Sequence, residues 1–120
     1  MNAINLADKF NSFSDRWSPK IIGELNDFFI KAVKLKGEFV WHHHDHEDEL
    51  FLVTKGTLRM KFRNREAVIR EREFIIVPHG VEHRTAADEE ASVLVFEPAA
   101  TRNTGNVQHP TLTAPTGVRL

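Results

Sequence analysis

From Asp27 onwards, short apolar runs alternate with turn-forming residues. Phe28–Leu35 is apolar with Lys31 and Lys34 interspersed, Gly37 punctuates, and Phe39–His44 is rich in aromatic and β-branched residues. Glu49–Thr54 leads through the turn Lys55-Gly56 into Thr57–Phe62, and Asn64-Arg65 turns the chain into Glu66–Arg70. Phe74–Val77 ends at the turn Pro78-His79-Gly80, and Glu82–Thr85 and Ser92–Glu97 follow on either side of an acidic loop, Asp88–Glu90. Strands at a spacing of roughly 8 to 12 residues predict an all-β sandwich or small barrel. The long helices that parallel strands need as crossovers are missing.

Upstream, Phe10, Phe13 and Trp17 stand at i, i+3 and i+7. That spacing predicts a short amphipathic helix within Asp8–Trp17, ended by Ser18-Pro19. Ile21–Leu25 fits either periodicity. Residues 1–26 therefore read as a helix and arm packing on the barrel or on a partner subunit, and residues 27–100 as the barrel. Residues 101–120, with repeated Thr and few charges, read as a peripheral arm or partly disordered tail. Leu50–Val53, Phe74–Val77 and Val93–Phe96 are apolar on both alternating faces, so both faces must be covered. One face lines the barrel and the other needs the N-terminal segment or a second subunit, which predicts a homodimer.

Composition narrows the chemistry. The chain has 120 residues, no Cys, and 16 Lys+Arg against 17 Asp+Glu. One domain is expected, and thiolate metal sites, disulfide scaffolds and cysteine nucleophiles are excluded. The near-neutral balance gives no drive towards nucleic acid or anionic membrane. No apolar run approaches the roughly 18 to 20 residues of a membrane span, and Met1–Phe10 lacks a leader pattern, so a cytoplasmic protein is expected. The Arg residues at 59, 63, 65, 70 and 72 are spread by alternation and diluted by Glu66, Glu71 and Glu73, which reads as a solvated face.

Seven His is the unusual entry in this composition, because His42, His43, His44 and His46 fall within five positions. On an extended segment His42 and His44 share one face while His43 points the other way. Two imidazoles so spaced can reach one ion at about 2.0–2.2 Å, with the carboxylate of Glu49 returning on the next strand. A fourth ligand has to come from a distant strand, and His83, after the Pro78–Gly80 turn, is the best placed. A solvated polar loop is the bland reading of the same residues. His44-x-His46 repeats the spacing of His42-x-His44, but Glu49 then follows after only two residues, which makes His46 a neighbour of the site rather than a ligand. His43, His79 and His109 read as surface residues.

Gly37, His42, His44, Glu49 and Gly56, followed by Pro78, Gly80 and His83, resemble the two motifs of the cupin superfamily. Trp-Ser-Pro-Lys at 17–20, Gly-Glu-Phe-Val-Trp-His at 37–42, Asp-Glu-Leu-Phe-Leu-Val at 48–53 and Glu-Pro-Ala at 97–99 look like a group of small single-domain bacterial cupins, some labelled mannose-6-phosphate isomerase-like. Arg72 stands where the second motif usually has Gly, and Ala87 where an Asn often follows the last His. The resemblance implies a double-stranded β-helix (jelly-roll) barrel with a short N-terminal helix. It also implies one divalent metal ion per chain, Mn, Fe, Zn or Ni, on His42, His44, Glu49 and His83. Phe51, Met60, Phe62 and Phe96 are at alternating positions that can line a pocket around the ion, with plain core packing as the competing reading, and His46 can join them.

A three-His, one-carboxylate site leaves coordination positions open, which suits a small metalloenzyme acting on an oxygenated metabolite by dioxygenase- or isomerase-like chemistry. The alternative is a non-catalytic, metal-anchored module that binds or senses a small-molecule ligand.

Overall fold

The computed structural model describes residues 1–115 and 117–120. Its elements are α1 (Leu6–Asn11), β1 (Lys20–Leu25), β2 (Phe28–Glu38), β3 (Glu49–Lys55), β4 (Leu58–Phe62), β5 (Arg65–Ile69), β6 (Phe74–Val77) and β7 (Arg84–Pro98). All pairings between these strands are antiparallel. Five strands lie in the order β1-β2-β7-β3-β6, and β4 pairs with both β5 and β7. β7 joins the two halves, because Ser92–Phe96 pair with β3 while Arg84–Ala86 pair with β4. The result is the all-β double-stranded β-helix barrel that the alternation and the motifs predict, with a short helix at its N-terminus.

Side-chain parity builds the interior. Along β3, Glu49, Phe51 and Val53 are buried, with half-buried residues between them. Val53, Leu58, Met60 and Val93 have no exposed surface and form the centre of a core that includes Val33, Leu35, Ile69 and Val77. Burial of each such side chain contributes about 1.5–3 kcal/mol.

The outer face of the same sheet is covered at one end only. Phe10 of α1 packs with Ile22 and Ala32, against Phe13, Ile30 and Leu94. At the other end Phe74 and Ile76 of the edge strand β6 are 60% and 53% exposed. They stand opposite Leu52 and Leu50 in register and extend an apolar strip across the sheet.

Three expectations are corrected. The helix lies earlier than Asp8–Trp17, because the Asn5 side chain accepts from the Asp8 backbone N–H at 3.0 Å and so fixes the start. Ser12 ends it, and Trp17, with a φ of 59°, lies well beyond it in a left-handed conformation. Phe39–His44 is not a strand. Its backbone meets the second half of the barrel at spaced points, Phe39 N–H to Thr85 O and the reciprocal pair between His42 and His83, each at 2.9 Å, and Gly80 N–H to His44 O at 2.7 Å. Finally, Glu82–Thr85 and Ser92–Glu97 are not separated by a loop but belong largely to the single strand β7. Register with β2 jumps from Leu35–Ala91 to Gly37–Ala87, so Asp88–Glu90 bulge into solvent within a continuous strand.

Beyond β7, residues 101–115 form coil and turns in which Thr101 and Thr104 are buried. Gly105 takes a φ of 56° against the site loop, where a Cβ would sit 2.2 Å from the His43 carbonyl oxygen. Asn106 clasps the same residue, its backbone N–H donating to His43 O at 3.0 Å and its side-chain oxygen accepting from His43 N–H at 2.9 Å. Among the described residues no helix is long and apolar enough to cross a membrane.

Candidate metal centre

The backbone sets the site before any side chain does. The isolated antiparallel bridge between His42 and His83 brings two imidazoles together, with ring centroids 4.4 Å apart. The Pro78–Gly80 turn is pinned to the same loop, because Gly80 N–H donates to His44 O at 2.7 Å. Asp48 Oδ1 accepts from the backbone N–H of His79 and faces its ring Nδ1, both at 2.8 Å, and so ties the residue preceding Glu49 to that turn. His79 itself is exposed.

Two of the three imidazoles are oriented by a partner that fixes the free nitrogen. His42 Nδ1 meets Val40 O and His83 Nδ1 meets Val81 O, both at 2.9 Å. A carbonyl oxygen can only accept, so Nδ1 carries the proton and Nε2 keeps its lone pair. Burial, reinforced by the adjacent His83 ring, lowers the His42 pKa to about 4 and keeps it neutral, as a metal ligand must be. For Glu49 burial alone pushes the pKa up, but close polar contacts from Glu97, His44 and His83 overcome it and hold the carboxyl well below its usual range.

His42, His44, Glu49 and His83 each offer a ligand atom, and these atoms all lie within 4.8 Å of one another. Donors sharing one ion at about 2.0–2.2 Å are at most about 4.4 Å apart, so small adjustments close the set. Its polar atoms crowd one point: His44 Nε2 lies 2.7 Å and His83 Nε2 3.7 Å from Glu49 Oε1, and among the described residues none of the three buried atoms has a partner of hydrogen-bond geometry. A buried orphan of this kind costs about 1–3 kcal/mol, and three converging on one point fit a cation. The four residues could hold one metal ion.

A cavity of about 50 Å³ adjoins them, lined by His42, Glu49, Glu97, Thr85 and Asn103 together with Trp17, Phe39, Phe51 and other apolar side chains. Trp17, which the sequence places only on the apolar stripe of the N-terminal helix, stacks on Phe39 at 4.8 Å and donates its indole N–H to Lys36 O at 3.1 Å.

The expected pocket residues divide. Phe51 lines the cavity. Met60 is fully buried in the core and is not among the lining residues. Phe62 lines an outward groove with Arg63 and Ile75, and Phe96 stacks on Phe28 at 5.2 Å, on the face opposite Val95 and Glu97. His46 is exposed and borders a separate shallow groove with His44, Arg102 and Asn106. His43 turns outward to Asp45, and His109 accepts backbone N–H groups within its own turn.

Glu97 and Lys31 escaped the sequence reading. Register extends from Leu50–Phe96 to place Glu49 opposite Glu97, and Lys31 lies diagonally across on β2. Burial, then the charge of Glu49 and hydrogen bonding with it, raise the Glu97 pKa well above the carboxylate range, against the pull of Lys31. One proton shared by two facing carboxyls removes the repulsion that like charges in register would create. The available signal was parity, since Glu97 and Lys31 continue the inward rows Val93, Val95 and Val33, Leu35.

The Cupin domain family matches residues 30–97 of the chain. The chain belongs to the cupin family. This cupin is 35% identical over 82 residues to the uncharacterized protein YdbB of Bacillus subtilis, covering 68% of this chain and 73% of that one. Its fold superimposes on the crystal structure of a cupin-2 domain containing protein from Shewanella frigidimarina with a TM-score of 0.79 and 45% identity, covering 79% of this chain and 93% of that one. It is also similar to protein NMB1881 from Neisseria meningitidis, with a TM-score of 0.74 and 30% identity over 81% of this chain and 99% of the other.

Proposed function

We propose that this cupin is a cytoplasmic metal-dependent enzyme acting on a small oxygenated metabolite. The observation that carries the reading is the convergence of four buried donors, three with no partner of hydrogen-bond geometry among the described residues, beside a cavity that His42 and Glu49 line. His42, His44, Glu49 and His83 would hold the ion, which supplies a Lewis acid for a carbonyl or hydroxyl oxygen or, as iron, dioxygen chemistry. The stacked Trp17 and Phe39 shield the site from water, and the apolar walls select a molecule with few polar groups.

Size and charge limit the substrate. One water needs about 10–15 Å³ of comparable space, so the cavity takes a few non-hydrogen atoms. Among the described residues no Lys or Arg lines it, which leaves a phosphate no counter-charge besides the ion itself. This favours small, uncharged oxygenated compounds over the sugar phosphate that the mannose-6-phosphate isomerase-like resemblance brings to mind. Dioxygenase-like and isomerase-like reactions both fit, and the native metal separates them.

The test is metal analysis of protein purified without a tag, followed by loading with Mn, Fe, Zn or Ni and a screen of small oxygenated compounds for conversion. One ion per chain and turnover of at least one compound are expected. Ligand binding without conversion would move the reading to a non-catalytic binding or sensor module. His42→Ala, Glu49→Ala and His83→Ala should abolish stoichiometric metal, whereas His43→Ala should not, and equal metal content in all four overturns the ligand assignment. The exposed apolar strip on β6 supports a homodimer. Light scattering on the same preparation should give about twice the 13.8 kDa chain mass, and a monomer counts against it.

A further inference from the structure

Behind the four donors stands a buried ion pair. Lys31 Nζ lies 2.9 Å from Glu97 Oε1, with the two side chains only 3% and 2% exposed. A pair so deeply buried rarely repays its desolvation through mutual attraction, and apolar residues of the same volume are often as stable or more so. Val33 and Val95 continue the same inward rows as buried apolar residues, so stability alone gives no reason for charge here. What distinguishes the pair is its neighbour. Glu97 faces Glu49, the one carboxylate of the donor set, in the continued β3–β7 register and lines the same cavity, and its Oε2 is buried with no hydrogen-bond partner among the described residues.

We propose that Lys31 and Glu97 are positioning residues for the metal: Lys31 anchors Glu97, and Glu97 holds the Glu49 carboxyl so that one of its oxygens faces the histidines. The inference rests on reading His42, His44, Glu49 and His83 as a metal site. A carboxylate side chain that is free to rotate must be ordered when it ligates, at a cost in entropy. Holding it in advance removes that cost and fixes its orientation, as the Val40 and Val81 carbonyls do for His42 and His83. The three-residue chain Lys31–Glu97–Glu49 thus does for the carboxylate ligand what the backbone does for two of the histidines.

The test uses the full-length metal-free protein titrated with Co²⁺ alone, read by chelator competition and by the visible absorption of the bound ion. Glu97→Gln keeps both contacts, since the amide oxygen can accept from Lys31 while the amide N–H donates to Glu49. It should bind within a few-fold of wild type and keep its spectrum. Lys31→Met/Glu97→Leu removes the brace and both of its ionisable groups, while His44 Nε2 remains 2.7 Å from Glu49 Oε1. It should melt no lower than wild type in the metal-free state, bind Co²⁺ about 10 to 100-fold more weakly, and show an altered spectrum. Lys31→Met alone should weaken binding in the same direction, and decides the question if the double variant does not fold. Wild-type affinity and spectrum in a folded variant lacking the brace would overturn the positioning role while leaving the metal site intact. Failure of the wild type itself to take up Co²⁺ would overturn the site and the brace together.

Discussion

Along β3 the inward row runs Glu49, Phe51, Val53, and along β7 it runs Glu97, Val95, Val93. Within three positions the barrel interior passes from ionisable to apolar, and both ends are equally buried. At the apolar end, Leu58 and Met60 contribute burial and dispersion with no polar atom to satisfy. At the other end His44, Glu49, His83 and Glu97 each leave a buried atom with no hydrogen-bond partner among the described residues. The difference teaches how one sheet serves two purposes: the closed end supplies stability, and the open end retains the unmet bonding capacity that an ion would use. Function here is a local departure from the packing rule that the rest of the strand obeys.

The largest expected effect lies at the closed end. Leu58 has no exposed surface and belongs to the apolar core, not to the donor set. Leu58→Ala should cost about 3–5 kcal/mol in urea unfolding, because the surrounding core closes only partly over the cavity left behind. Metal stoichiometry of the folded fraction should stay at the wild-type value. Loss of metal at equal folded population would show that the two ends are coupled, and would break the comparison.

How far the sequence reveals each end follows from the same contrast. The donors are legible because a metal site needs particular residue types at fixed spacing, and His42, His44, Glu49 and His83 carry that pattern in the open. The apolar rows are harder. Leu94 and Phe96 are as apolar as Val93 and Val95, since α1 and Phe28 cover the outer face, so alternation cannot tell which row is inside. That is why Phe96 was expected in the pocket and Glu97 was not. The Asp88–Glu90 bulge misled for a related reason, because three acidic residues read as a loop when their strand pairs on either side of them. The start of α1 depends on the Asn5 cap, a single side-chain contact that periodicity does not register.

A second prediction uses pH at the open end. The native His42 pKa is lowered from 6.5 to about 4 by burial and by His83. Between those values the unfolded imidazole takes up a proton that the native one refuses, so its stability contribution is whole above pH 6.5 and lost as pH falls towards 4. The loss is about 3 kcal/mol at 1.36 kcal/mol per unit. Glu97 runs the other way: its native pKa is raised above 4.5, so its contribution is present below that pH and declines as pH rises. The two partly cancel in wild type, and the clean measurement is the stability difference between metal-free wild type and His42→Gln. Wild type should lose about 3 kcal/mol relative to the variant from pH 6.5 to 4. A difference independent of pH would mean that the native ring protonates freely, contrary to its burial.

The smallest effect returns to the closed end, where Arg72 replaces the usual glycine of the second motif. Arg72 has a φ of 69°, so the turn keeps the left-handed geometry without the residue best suited to it. The backbone holds it there: Arg72 N–H donates to Val53 O at 2.8 Å, Glu73 N–H to Arg70 O at 3.0 Å, and the Glu73 carboxylate accepts from Arg70 N–H at 2.8 Å. A left-handed L-residue costs about 1–2 kcal/mol. Glycine relieves that strain but loses about 0.5–1 kcal/mol through its greater freedom when unfolded. Arg72→Gly should therefore stabilise the barrel by about 0.5 kcal/mol in urea titration, with metal content unchanged. Destabilisation would show that the exposed Arg72 side chain contributes more to the turn than its backbone strain costs, and the motif departure would then be compensated locally rather than tolerated by a well-packed end.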